Sequence, residues 1–587
     1  MGEADFRREL ASSPGAEHRS ESVPETSIGD LPDELRARVL AATAHASRRS
    51  IQKAADHYEV RALCGDRIVE MTLALRSDGS VAEHTETFLA AEVEERMSEP
   101  ASRAEPVLLV SNRGPLQYRL HEGRRVAERG AGGLVTALSQ LTAQLEEATW
   151  ICAALSEEDA AVAAEHPAGV PLEDRPGVRV RMVRLEDDAQ EKSYGVIANP
   201  LLWFLQHSLW DLTNAPDLTA EVSEAWEAGY VAVNRCFADE VAAELERHSD
   251  RATVLIHDYH FYLLGAELRA RRPNAFLHHF IHIPWPQPDS WRILPPAMRE
   301  AIFIGLLGCD VVAFHTERYA RNFLLGCQEL LGLPVDMHRL TVATGGRTVT
   351  VRWYPISVDA EAFDAHAASP EVADAEAALM AGRREHLILR VDRTDPSKNL
   401  VRGFRAFDLL LARHPELTER VTFLALLQPS RQDVAEYATY TEAIRRIAAD
   451  VNLARGTPDW QPIDLRFVAD MDLAVAAYRQ FDVLMVNGIF DGMNLVAKEA
   501  VLVNQRNGVL ALSENTGAHE ELGAFAVTLH PFDIAQQAEA LHEALTMDAA
   551  ERRARSQACA AVVRENDVEK WFRRQLDDID DLQEPGT

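Results

Sequence analysis

From Pro106 onward, short unbroken apolar runs alternate with helical stretches. This alternation restricts the chain to parallel sheets covered on both faces. The runs PVLLVSNR (106–113), TVLIHDYH (253–260), FLHHFIHIPW (276–285) and DVVAFHT (310–316) read as buried strands rather than strands with one wet face. Helical stretches such as PPAMREAIFIGLL and ERYARNFLLGCQELLG separate or follow them. Beyond residue 385 the pattern starts again, with HLILRVDR (386–393), VTFLALLQ (421–428), IDLRFVAD (463–470), FDVLMVNG (481–488), GVLAL (508–512) and AFAVTLHP (524–531). Two such blocks, joined around 354–370, predict an α/β protein of two doubly wound, Rossmann-like domains. Ligands of such sheets bind at the carboxyl ends of strands, so the cleft between the two domains is the expected site. The expected divisions are 105–370, 371–547, and a C-terminal helix and tail over 548–587.

The first hundred residues have a different texture. Residues 1–30 are polar and aperiodic and read as a disordered tail; 31–104 read as a small α/β accessory unit. In it a helix is expected over Leu31–Tyr58, strands over 67–75 and 81–89 about a turn at Ser77-Asp78-Gly79-Ser80, and a short helix over Ala90–Met97. This unit carries no chemical motif and is assigned a regulatory or assembly role.

The formal net charge of −32 argues against nucleic acid as a partner, because that needs a basic footprint. An anionic small molecule would need a local group of Arg and Lys set against this field. No apolar run reaches the roughly 18 residues of a membrane span. The start, MGEADFRREL, has no apolar core of a secretory signal, so a cytoplasmic protein without a membrane partner is expected. The six cysteines are scattered and form no C-x-x-C, which reads as reduced, mostly buried thiols.

The strands end on residues that carry chemistry. Arg113 follows the first buried strand, and Gly132-Gly133 precedes a helical run, where backbone N–H groups can approach a phosphate. His257-Asp258-Tyr259-His260 and His282-Ile283-Pro284-Trp285-Pro286 end two adjacent strands, so a carboxylate and an imidazole can reach one substrate. Four histidines crowd here, but their spacing does not suit a metal site, and none is expected. Arg393-Thr394-Asp395-Pro396-Ser397-Lys398-Asn399 sets two cations at a strand tip, which suits a diphosphate. Arg431 ends the next strand. Asp491-Gly492-Met493-Asn494-Leu495-Val496-Ala497-Lys498-Glu499 is a turn that opens a helix, a place where phosphate meets N–H groups and the helix dipole. Each cluster has a bland reading: Asp258 or Asp491 as a helix cap, His282 as a hydrogen-bonded core histidine, the cations as surface charges. Their recurrence at successive strand tips favours a site.

In order, SNR, GGL, HDYH, HIPWP, RTDPSK, PSRQDV, DGMNLVAKE and NTGAHEELG resemble the trehalose-6-phosphate synthase family, glycosyltransferase family 20, in its actinobacterial form, from about residue 106 to 545. The resemblance implies a GT-B fold, retention of anomeric configuration, and no metal or cofactor beyond the substrates, UDP- or GDP-glucose and glucose 6-phosphate. It implies donor contacts from Gly133, Arg393, Lys398, Asp491, Gly492, Met493, Asn494, Leu495 and Glu499. Arg113, Tyr194, Trp203 and Arg431 would hold the acceptor phosphate. Asp258, His282, Arg393 and Lys398 would carry catalysis. A homo-oligomer is compatible with this reading. The sequence departs from the family pattern at Asp395-Pro396-Ser397-Lys398-Asn399 (for D-Y-x-K-G), at Leu202–Ser208 and at Phe490. Two alternatives accompany the main reading. One is a pseudoglycosyltransferase that couples a nucleotide-activated cyclitol to an aminocyclitol phosphate, or a related synthase making another non-reducing glycoside phosphate. The other is a silent sugar-phosphate sensor, disfavoured because Asp258, Arg393, Lys398 and Glu499 are all present.

Overall fold

In the computed structural model, the strand His386–Arg393 lies at the middle of a six-stranded, all-parallel sheet. The sheet runs Ile463–Phe467, Val421–Gln428, His386–Arg393, Val483–Val486, Val509–Ser513, Val527–Leu529. Numbered along the chain this order is 3-2-1-4-5-6, the doubly wound arrangement whose crevice opens where the order reverses. The structure describes residues 48–53, 58–64, 67–75, 81–89 and 105–583, apart from 131–132, 143–144, 174, 250 and 433.

A second sheet repeats the principle. Its parallel strands are, in spatial order, Arg347–Trp353, Val311–Phe314, Leu277–Phe280, Thr253–His257, Val107–Ser111, Ala148–Ala153 and Arg175–Val183. Short antiparallel strands flank it at both edges. Its order reverses between Val107–Ser111 and Thr253–His257, which places the turns after Ser111 and His257 side by side. Both of these strands are buried along their whole length, as their unbroken apolar composition requires.

The two sheets share one core. Leu109, Trp150 and Phe280 of the first continue through Trp571, Phe572 and Ile579 to Leu389, Tyr478 and Val486 of the second. The bridging aromatics belong to Val568–Gln583, a C-terminal helix that follows Ala549–Glu565 and returns to the first sheet. There the Trp571 indole N–H donates to the Tyr354 carbonyl at 3.1 Å, and its ring meets Phe280 edge-on at 5.5 Å. The helical reading of the segment from Asp548 therefore holds, but the second helix serves the first domain.

The chain divides into two compact units, 1–101 and 102–587. In the first, Arg48–Lys53, Tyr58–Cys64, Arg67–Leu75 and Val81–Leu89 form a four-stranded antiparallel sheet. The strands predicted over 67–75 and 81–89 are present. The helix predicted over 31–58 is overturned at 48–53. That segment pairs residue by residue with Tyr58–Cys64, because the open edge of the neighbouring strand offers a full ladder and helix propensity is a weak competitor. The predicted tail over 1–30, the rest of that helix up to residue 47, the turn at 77–80 and the short helix at 90–97 lie outside the described residues. Five cysteines of the second unit are free thiols, four of them buried.

Trp571→Ala removes the aromatic that joins both sheets. It should destabilise the second unit by about 3–5 kcal/mol, read as a lower urea midpoint, with proteolysis arising near Asn566.

Candidate active site

The loop after His386–Arg393 is built on buried polar groups. Arg390, a cation in the buried middle of its strand, is 1% exposed. It donates to Asp392 (3.0 Å), to the Asn487 amide oxygen (2.5 Å) and to the Lys398 carbonyl. Asn399 then adopts a left-handed backbone, φ 60°, and its amide donates to the Asn487 and Pro531 carbonyls. Asparagine tolerates this conformation nearly as glycine does. Asn399 thus supplies a left-handed residue at the position where the family pattern has glycine. Thr394 accepts from the Ser430 N–H at 3.0 Å, tying the loop to the turn that carries Arg431.

Within this frame the ε-ammonium of Lys398 is ion-paired to Asp491. Burial alone would raise the Asp491 carboxyl, and Lys398 outweighs it and holds it below the ordinary value. Asp491 is not the helix cap. Asn494 caps the helix Leu495–Val503 by accepting from the Ala497 N–H, and its own amide donates to Asp491 at 3.0 Å. Gly492 is required by close approach: a Cβ there would lie 2.0 Å from the His282 carbonyl of the other domain. Met493 is buried, and Leu495 is partly buried at the start of the helix. Glu499 sits deeper, with Tyr478 donating to it at 3.2 Å, and burial pushes its carboxyl up to about 7. Lys498 faces away and ties Glu521 and the Ile356 carbonyl together.

The opposite wall comes from the first sheet. Asp258, φ 76°, accepts from the His282 N–H at 3.2 Å, and His257 and His282 meet ring to ring at 3.1 Å. Burial holds His257, His279, His282 and His315 below the ordinary imidazole range, so this floor is uncharged. Burial also pushes the Asp258 carboxyl up to about 7, against the pull of the His282 and Tyr259 N–H groups and of Arg431 and Arg393. Among the described residues, the one His/carboxylate group close enough to share an ion is His414, Glu416 and His542. The histidines crowded over 257–282 are not part of it.

Arg113, Tyr194 and Arg431 line one cleft of about 980 Å³, whose remaining lining mixes apolar side chains such as Trp210 and Leu218 with the carboxylates of Glu191, Asp217 and Glu436. Burial would raise the Tyr194 hydroxyl, but Arg431 and Arg113 prevail and lower it. Trp203 lies against this cluster. The Arg431 guanidinium is 4.2 Å and that of Arg393 5.6 Å from its ring, and His207 stacks on it at 4.1 Å. Predicted donor-side and acceptor-side cations therefore share one indole. Gly133 opens the helix Gly133–Leu141; its neighbour Gly132 lies outside the described residues.

Sequence reading passed over Asp395, Arg390, Tyr259 and Tyr437. Arg390 had a visible signal, a charge in a run of buried strand residues. Asp395 stood between two cations inside a motif already singled out.

Two parallel-sheet domains facing each other, with cations and a helix N-terminus at the switch point of one and a carboxylate at that of the other, define a GT-B-type glycosyltransferase. The profile of glycosyltransferase family 20 matches residues 105–581, and the chain belongs to that family. It is 33% identical over 437 residues to validamine 7-phosphate valienyltransferase of Streptomyces hygroscopicus subsp. jinggangensis, covering 73% of this chain and 85% of that protein. It is 33% identical over 454 residues to the UDP-forming alpha,alpha-trehalose-phosphate synthase of Botryotinia fuckeliana, covering 76% and 83%. The crystal structure of the UDP-forming synthase of Burkholderia xenovorans with glucose-6-phosphate superposes with a TM-score of 0.70 at 27% identity, over 81% of this chain and all of that one. Among the described residues no helix is long and apolar enough to cross a membrane.

A carboxyl that holds its proton more tightly folded than unfolded favours the folded state below its unfolded value of about 3.9. That contribution is lost as pH rises through the folded value. Asp258→Asn has no such proton. Its melting temperature should therefore rise relative to wild type between pH 5 and pH 8; a constant difference across the window would mean that Asp258 is an ordinary carboxylate.

Proposed function

We propose that the chain transfers glucose, with retention, from UDP- or GDP-glucose to glucose 6-phosphate, forming trehalose 6-phosphate and releasing the nucleoside diphosphate. The observation that carries this reading is the meeting of two cation groups on Trp203. Arg393, with Lys398 beyond it, faces the crevice of the second sheet, and Arg431 turns to the cleft shared with Arg113 and Tyr194. Two phosphorylated ligands placed side by side would each find a cation pair in a protein of net charge −32.

In this reading Arg393 and Lys398 bind the diphosphate, joined by the N–H groups of Asn494 and Leu495 at the helix start. Charge growing on the leaving diphosphate is stabilised there without a metal ion or other cofactor. Asp491, Gly492 and Met493 line the donor hexose, His282 meets it from the first domain, and Glu499 binds the ribose. Arg113, Tyr194 and Arg431 fix the acceptor phosphate, with Trp203 packed behind them. Asp258 orients the acceptor hydroxyl, which attacks from the face the diphosphate leaves and passes its proton to that diphosphate. The contribution of the protein is positioning and charge. The chemistry needs only soluble metabolites, which suits a cytoplasmic enzyme. The division at residue 370 into acceptor and donor domains follows from the same assignment.

A second reading, coupling of a nucleotide-activated cyclitol to an aminocyclitol phosphate, draws support from the valienyltransferase relative and from the departures at Leu202–Ser208 and Phe490. Purified protein given UDP- or GDP-glucose with glucose 6-phosphate should yield trehalose 6-phosphate, identified by mass and anomeric NMR. Arg393→Ala should lower the rate by at least a hundredfold, about 2.7 kcal/mol of transition-state stabilisation. Tight UDP binding with no glucosyl transfer from either donor would favour the cyclitol reading.

A further inference from the structure

Asp395 is a fully buried carboxylate at the tip of the second domain's central strand. Every bond it makes falls on one of two sides. Its Oδ1 accepts from the Ser397 N–H (3.0 Å) and hydroxyl (2.8 Å) of its own loop, and from the Trp203 indole N–H of the first domain (3.4 Å). Its Oδ2 accepts from the Tyr437 hydroxyl (3.3 Å) and from Arg431 (3.4 Å), and lies 3.9 Å from Arg393. The carboxylate stays ionised despite its burial. Desolvation pushes it up, and Arg393, Arg431 and the Ser397 N–H outweigh that and hold it at about 2.

Arg431 in turn is over-determined. Its guanidinium donates to Asp395 and Tyr437 with one nitrogen and to the Tyr259 hydroxyl, 3.2 Å away in the first domain, with the other. Tyr259 is itself anchored on the Asn199 amide oxygen at 2.8 Å. The Arg431 backbone is held at φ 47°, a conformation that a non-glycine residue keeps only when its surroundings enforce it. Arg113 and Tyr194 belong to the first domain and Arg431 to the second, so the three meet only while the domains are apposed.

We propose that Asp395 is a positioning residue that completes the acceptor-phosphate site across the domain boundary, clamping Trp203 of one domain and Arg431 of the other around a single carboxylate. The inference rests on the reading of Arg113, Tyr194 and Arg431 as the acceptor-phosphate group. It assigns the acceptor-phosphate group a dependence on domain apposition that the diphosphate group of the donor side does not share, because Arg393, Lys398, Asn494 and Leu495 all stand on the second domain's own loops. Asp395 touches neither substrate; it acts through Arg431 and Trp203.

The test separates the two sides by binding alone. Dissociation constants for glucose 6-phosphate (with UDP saturating) and for UDP are measured calorimetrically on the full chain, for wild type, Asp395→Asn and Trp203→Phe. Asp395→Asn should weaken glucose 6-phosphate at least tenfold and UDP less than threefold. Trp203→Phe keeps an aromatic face for Arg431 on a smaller ring and loses the N–H, and should weaken glucose 6-phosphate a few-fold. The double variant should be no weaker than Asp395→Asn alone, because both changes break one clamp. Equal loss of both ligands in Asp395→Asn would make the residue a scaffold of the 393–399 loop and overturn the proposal, as would unchanged glucose 6-phosphate binding in either variant. Should Asp395→Asn not fold, the Trp203→Phe result alone decides. Wild type that binds both ligands and turns over neither donor would overturn the glucosyl-transfer reading and leave this inference standing; wild type that binds no sugar phosphate would overturn both.

Discussion

Asp395 and Asp491 hold together a site that would otherwise repel itself. Arg393, Lys398 and Arg431 sit on neighbouring turns of one domain. Holding Lys398 and Arg431 largely away from water, with Arg393 beside them, is unfavourable unless buried counter-charges lie between them. Asp491 pairs with Lys398, and Asp395 lies against Arg431 and Arg393. Each carboxylate is also bonded by neutral donors, Asn494 in one case and Ser397, Tyr437 and Trp203 in the other. The cations are thereby held in fixed positions by the protein's own groups, as a preorganised site requires.

That arrangement depends on topology. In both sheets the order reverses beside the first strand, and this reversal opens the crevice where the 393–399 loop faces Asp491 in one domain and Arg113 neighbours the His257–Asp258 turn in the other. The domains then meet backbone to backbone at Gly492 and His282, with the Tyr319 hydroxyl donating to the Asp491 carbonyl at 3.0 Å. The C-terminal helix spans the same junction through Trp571. A polar bond, a missing Cβ and an apolar clamp thus act together on one interface.

Much of the fold was legible because parallel strands buried on both faces leave a direct trace. HLILRVDR and VTFLALLQ occur as strands over the residues their composition marks. Three parallel strands of the first sheet were not read from the sequence: Ala148–Ala153, Arg175–Val183 and Arg347–Trp353. Arg175–Val183 and Arg347–Trp353 alternate apolar residues with arginines and threonines, and Arg181 is neutralised by Glu240 and Glu244 from a covering helix, whereas Ala148–Ala153 is a buried run of the same kind as the strands that were read. The segment 48–53 looked helical by local propensity and became a strand through its ladder with 58–64. Of the site, the residues on strand tips were readable from residue type and position. Asp395 was not, because its role lies in distances to Trp203 and Arg431, 192 and 36 residues away along the chain.

By itself, the sequence determined the layer architecture, the strand tips on which the candidate site residues stand and the excess of acid that makes each clustered cation informative; all three follow from local pattern and composition. Tertiary structure alone decided which cations share Trp203, that Asn494 rather than Asp491 caps its helix, that Asn399 can stand where the family pattern has glycine, and that the last helix serves the first domain. These outcomes turn on burial, backbone conformation and contacts between distant segments, none of which is encoded within a window of neighbouring residues.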